Sequence, residues 1–165
     1  MDQCARQKEK DSLDRQAAAG VALMLAASAA LLFLAWLSIP VPLVKNTVQT
    51  ELLYVQVYLS PGECVTWHPR SMTEQQTARA VVDYMGTCRE RNTLCPAGKT
   101  MADQPRMQVY FRTEDTYRVV NLGSWTGGRS TGWAGDQDRT GHAAKVLEPE
   151  TLTTYILDNI GKDLI

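Results

Sequence analysis

The chain has 165 residues, with 17 Lys and Arg against 18 Asp and Glu and a formal net charge of -1. That length suits one core of ordinary size plus appendages and argues against two domains. A chain so close to neutral offers no field to draw in a phosphate backbone, so nucleic acid is excluded as an expected partner.

The first segment in chain order, residues 1–16 (MDQCARQKEKDSLDRQ), reads as a polar tail of mixed charge. No charged residue occurs from Ala17 to Val44, and the 23 residues from Ala17 to Ile39 include Val21, Leu23, Met24, Leu25, Leu31, Leu32, Phe33, Leu34, Trp36 and Leu37. Roughly 20 apolar residues rising about 1.5 Å each cross a hydrocarbon core, so 17–39 is predicted to be a transmembrane helix. Its apolar run is longer than that of a cleaved signal peptide, and the leader carries Asp2, Glu9, Asp11 and Asp14 among its cations, which predicts an uncleaved signal anchor. Arg6, Lys8, Lys10 and Arg15 precede the segment while Lys45 alone follows closely. The positive-inside rule therefore predicts a single-pass protein of the cell membrane with a cytoplasmic N-terminus. Trp36 suits the interfacial aromatic belt, and Pro40 and Pro42 end the helix into a short linker, residues 40–49.

Residues 50–165 are then predicted to be an extracytoplasmic domain. Thr50 to Leu59 alternates Leu53, Val55, Val57 and Leu59 with polar and tyrosine positions, the period of a strand. SMTEQQTARAVVDYMG has the capping-box form Ser71 to Glu74 and apolar positions Ala78, Val81, Val82 and Met85, which predicts an amphipathic helix ending at Gly86. Residues 87–106, with Pro96, Gly98 and Pro105, read as loop. MQVYFR and YRVVNL flank Thr113 to Thr116 as a hairpin, with Glu114 and Asp115 in its turn. Ser124 to His142 then reads as a long glycine-bearing loop, AAKVL as a short strand, and EPETLTTYILDNIG as a closing helix with Pro149 in its first turn and Leu152, Tyr155, Ile156 and Ile160 on one face. The expected fold class is α+β: a single N-terminal transmembrane helix, then a small antiparallel sheet of about four strands with two helices packed on it.

Cys64, Cys88 and Cys95 would lie outside the membrane, where disulfides persist, and the short spacing of Cys88 and Cys95 predicts a bridge between them. Asp136, Asp138 and His142 in DQDRTGH begin like a calcium loop, but the twelfth position counted from Asp136 is Leu147 where a bidentate glutamate is needed. Cys64, His68, Cys88 and Cys95 depart from zinc-ligand spacing. Cys64 with His68 as nucleophile and base is a lesser alternative that requires contact in space. No G-x-S-x-G, H-E-x-x-H, Walker A or G-x-G-x-x-G motif is present, so no enzyme, cofactor or metal site is expected.

The 124–142 loop combines rigid aromatic rings with charge, which suits recognition. The candidate binding residues are Trp125, Arg129, Trp133, Asp136, Asp138, Arg139 and His142. The expected function is a membrane-anchored binding or interaction module whose partner is a protein or cell-envelope component. The alternative is an accessory subunit of a larger membrane or envelope complex of the secretion or conjugation type; Gly20 among alanines would allow close packing of its span.

Overall fold

The computed structural model describes residues 2–100, 104–114, 116–138 and 141–163, with side chains from Arg15 onward apart from a few positions beside the gaps. Asp115 and Arg139 lie outside the described residues, as does the side chain of Cys4. The chain divides into two units, 1–38 and 39–165.

The first unit is one helix, α1 (Asp2–Ser38), which runs without interruption through the polar tail and the apolar run. Its stretch Arg15–Ser38 is 24 residues long, is uncharged after Arg15 and predominantly apolar, and is not buried against protein. Leu23, Met24 and Leu32 are each 73% exposed. Water does not favour such a surface. The helix has the length and composition of a membrane span or of a signal sequence. Its one mid-segment hydroxyl, Ser28 Oγ, donates to the Met24 carbonyl at 2.9 Å, so it brings no unmet hydrogen bond into an apolar medium.

The second unit is α+β, as expected. Its elements are β1 (Val41–Pro42), β2 (Thr50–Ser60), β3 (Glu63–Trp67), α2 (Met72–Thr87), β4 (Arg89–Arg91), α3 (Ala97–Thr100), β5 (Met107–Thr113), β6 (Thr116–Ser124), β7 (Gly128–Asp136), β8 (Ala144–Val146) and α4 (Pro149–Ile160). The strands form one sheet in the order β1-β4-β8-β7-β6-β5-β2-β3, and every pairing is antiparallel. The sheet thus has 8 strands rather than about four. Three of the additional strands, β1, β3 and β4, are 2, 5 and 3 residues long, too short to declare an alternating pattern. β4 and α3 also occupy part of what reads as loop in 87–106.

The fourth additional strand is β7, GRSTGWAGD, which lies inside the expected 124–142 loop and has no apolar alternation to announce it. One of its glycines, Gly132, has a packing reason. A Cβ on Gly132 would sit 2.6 Å from Pro149 Cβ and 3.1 Å from Val146 Cβ, so the first turn of α4 rests directly on the β7 backbone. Part of the expected linker is also structural: β1 pairs with β4, and Leu43 and Val44 are 0% and 3% exposed.

α2 and α4 cover one face of the sheet. The capping box is present: Ser71 Oγ accepts from the Glu74 amide while the Glu74 carboxylate accepts from the amides of Ser71 and Arg70. Those amides hold the Glu74 carboxyl below its ordinary range. Val81, Val82 and Met85 of α2 and Leu152, Ile156 and Ile160 of α4 are buried against cross-strand rows such as Val55–Val109–Val120–Ala134. Each such side chain contributes roughly 1.5–3 kcal/mol on burial. Between the helices Tyr84 and Tyr155 stack at 3.8 Å. The opposite face carries a smaller cluster, Ala97, Val119 and Ala143, with Tyr110 and Trp133 packed against it.

Candidate binding groove beside the hairpin of β6 and β7

β6 and β7 form a tight hairpin whose turn is built by one side chain. Ser124 Oγ accepts from the amides of Thr126 and Gly127 at 3.1 and 3.0 Å. Just before it, Gly123 adopts φ +65 where the pairing register shifts between Leu122 and Ser124, a left-handed position that suits glycine. The turn presents Trp125, half-buried, with the Arg106 guanidinium 4.5 Å above its ring. Its indole Nε1 is buried and unpartnered among the described residues. Arg106 also directs its Nε toward the Ser124 carbonyl at 3.5 Å.

Beside this hairpin a groove of about 310 Å³ opens between α4 and the end of the sheet. Val57, Met107 and Leu122, successive partners across β2, β5 and β6, supply apolar lining from the sheet. α4 contributes Glu150, Thr153, Thr154 and Leu157, and Tyr58, Arg106, Gly123 and Arg129 complete the lining. Leu157 is 37% exposed although it belongs to the amphipathic helix. Neither Arg106 nor Arg129 forms an ion pair with a carboxylate among the described residues. Glu150 shares the groove but lies beyond ion-pair distance of both guanidiniums, so each can donate bidentately to a ligand carboxylate while an attached apolar group enters the groove.

The structure separates the remaining candidates. Trp133 lies in mid-strand, packed with the smaller cluster on the face opposite the helices. Asp136 ends β7, seven residues from Arg129, about 23 Å along an extended strand. It is close enough to raise the Glu90 carboxyl electrostatically and lines a shallow recess with Asp138, Tyr117 and Gln137. His142 is exposed, and its backbone bridges to Pro96. The expected loop is therefore a hairpin that sends Trp125 and Arg129 to one end of the sheet and Asp136 to the other. Of its members, Arg129 lines the groove and Trp125 is joined to it through Arg106. Sequence reading passes over Arg106, Leu157 and the apolar lining residues, because they come from four elements far apart in the chain.

The expected Cys88–Cys95 bridge is absent, and both thiols are free. Between them β4 runs extended, about 10 Å over its three residues, whereas a bridge tolerates a Cα separation of roughly 7 Å. Burial raises the Cys88 thiol above its ordinary range, which keeps it protonated and unreactive. Cys64 is on β3 and Cys88 adjoins β4, with five strands between those two. Cys64 and His68 are four residues apart along extended chain, roughly 13 Å. Cys64 lies opposite Tyr58, and the His68 ring leans on Tyr54 at 5.3 Å. Among the described residues no group of three His, Cys, Asp or Glu side chains could hold a metal ion.

No family model, curated protein or solved structure matches the chain.

Proposed function

We propose that the chain is a single-pass, membrane-anchored interaction module without enzymatic activity, its second unit lying outside the cytoplasm. The groove between α4 and the hairpin receives a protein partner. The observation that carries this reading is the pairing of Arg106 and Arg129, both lacking carboxylate partners among the described residues, with the apolar lining from Val57, Met107 and Leu122. That chemistry fits a peptide segment presenting an apolar side chain beside an acidic one. The apolar helix supports the anchor, and the four Lys and Arg before it against Lys45 alone closely after it support the orientation.

A photo-crosslinking residue at Thr154, in the full-length protein in its own membrane, tests the groove. A discrete adduct is expected, and Arg129→Glu should abolish it. An adduct that survives Arg129→Glu and Arg106→Glu together, or one formed equally from Tyr117 at the far end of the sheet, defeats the reading. Orientation is tested separately by accessibility labelling of Ser12→Cys and Ser130→Cys in a cysteine-free background. Labelling of Ser12→Cys from outside refutes it.

The accessory-subunit reading draws on the same exposed span. It predicts that the protein co-purifies with a membrane complex through α1 and does so equally well when the groove arginines are reversed.

A further inference from the structure

The two edges of the sheet are built differently. β1 has two residues, one of them Pro42, which lacks an amide, and the chain after it turns into the core at Leu43. Short strands and prolines are the usual protection of a sheet edge. β3 has five residues, ECVTW, with no proline and no lysine, and Glu63, Cys64 and Thr66 are exposed. Among the described residues nothing pairs with its outer side.

The backbone orientation of β3 follows from one hydrogen bond. The Tyr58 amide donates to the Arg106 carbonyl at 2.9 Å, in register with Val57 opposite Met107, so Tyr58 directs its backbone groups toward β5. Its neighbour Val57 then directs its own toward β3, where it lies opposite Val65. By alternation Val65 and Trp67 bond inward, while Cys64 and Thr66 present their amides and carbonyls to the open edge.

We infer that β3 is a self-association edge: two copies of this chain pair antiparallel through β3 about a two-fold axis at Val65, joining their sheets into one. In that register Cys64 of each copy exchanges both backbone hydrogen bonds with Thr66 of the other, which satisfies all four outward groups on each strand. The half-buried Val65 side chains face each other across the axis. Charge favours this occupant. β3 begins at Glu63 and is followed by His68 and Arg70, so antiparallel pairing sets the acidic end of each strand against the basic end of the other. A two-fold contact is self-complementary and closes at a dimer, leaving no further open edge of this kind.

The mass of the full-length protein in detergent, measured across a concentration series by light scattering, tests the pairing. A dimer is expected. Thr66→Pro removes the outward amide on both copies and should weaken dimerisation roughly tenfold to a hundredfold, about tenfold or somewhat less per hydrogen bond lost. In a cysteine-free background, Val65→Cys places two thiols directly opposite across the axis, and mild oxidation should produce a covalent dimer. Leu59→Cys, which is exposed but beyond the pairing, should not crosslink. Because Thr66→Pro could unfold the unit, its circular dichroism is compared with wild type, and the Val65→Cys crosslink stands independently of it. A monomer at every concentration overturns the proposal. So does a dimer that Thr66→Pro leaves unchanged and Val65→Cys does not crosslink, which would assign association to α1 or another surface.

Discussion

The two ends of the hairpin of β6 and β7 each hold an arginine over an aromatic ring, and they differ in how that arginine is satisfied. At the far end Arg118 is stacked 5.9 Å from Phe111, its Nη2 donates to both Glu90 oxygens at 3.1 Å, and its Nη1 donates to the Leu43 carbonyl at 3.1 Å. Glu90 itself is 6% exposed. At the turn end Arg106 covers Trp125 and, like Arg129, has no carboxylate within ion-pair distance among the described residues, although Glu150 lines the same groove. One residue type thus serves two ends of one hairpin in two ways. A guanidinium paired from within ties the segment after α1 onto the sheet, whereas the guanidiniums beside the apolar groove have no carboxylate within ion-pair distance among the described residues.

The sharpest test of that contrast is to truncate both ends. Arg118→Ala leaves Glu90 buried without its cation and the Leu43 carbonyl without a donor, and should cost about 3–5 kcal/mol, read from denaturant unfolding of the full chain in detergent. Arg118→Ala with Glu90→Ala should recover part of that loss. Arg129→Ala should move stability by no more than about 0.5 kcal/mol. Equal losses at the two ends would dissolve the distinction and make the groove arginines structural.

This division was only partly legible in the sequence. Elements that declare themselves by period or capping came through: β2, α2 with its Ser71–Glu74 box, the hairpin of β5 and β6, β8, and α4 with Pro149 in its first turn. β7 did not, because its strand character is imposed by neighbours on both sides and by the approach of α4, which demands glycine at Gly132, while Gly128 serves the turn with φ +82, and glycines so spaced read in sequence as loop. The groove was legible only through Arg129. Its other members come from β2, the approach to β5, β6 and α4, and no spacing within one segment encodes that meeting.

The glycine explanation can itself be tested. If β7 is a strand because α4 lies on it, Gly132→Ala forces Pro149 or Val146 away, at a cost of about 1–3 kcal/mol. Should Gly132→Ala be neutral, the hairpin is looser than drawn and its two ends need not be held apart. A smaller effect separates the two tryptophans. Trp133→Ala removes a half-buried ring from the smaller cluster and should cost about 2 kcal/mol, whereas Trp125→Ala removes only the ring beneath Arg106 and should cost about 1 kcal/mol. Trp125→Ala should weaken the Thr154 crosslink while Trp133→Ala leaves it intact.

The smallest expected effect is a pH dependence confined to the far end. Burial raises the Glu90 carboxyl above its ordinary range, against the pull of Arg118 and of Lys45, and Asp136 pushes in the same direction as burial. A carboxyl whose folded value is raised binds its proton more tightly in the folded state. Its contribution to stability is therefore full below the unfolded value of about 4.3 and is lost as pH rises through the raised folded value. Glu90→Gln fixes the side chain in an uncharged form of similar shape, so it should be at least as stable as wild type at pH 7, and the two melting temperatures should converge as pH falls through that window. The acid transitions of other carboxylates occur in both proteins and cancel in the difference. A difference that does not vary with pH would mean that Arg118 compensates the buried charge fully, and the far end would then be held by its ion pair without the burden of desolvation.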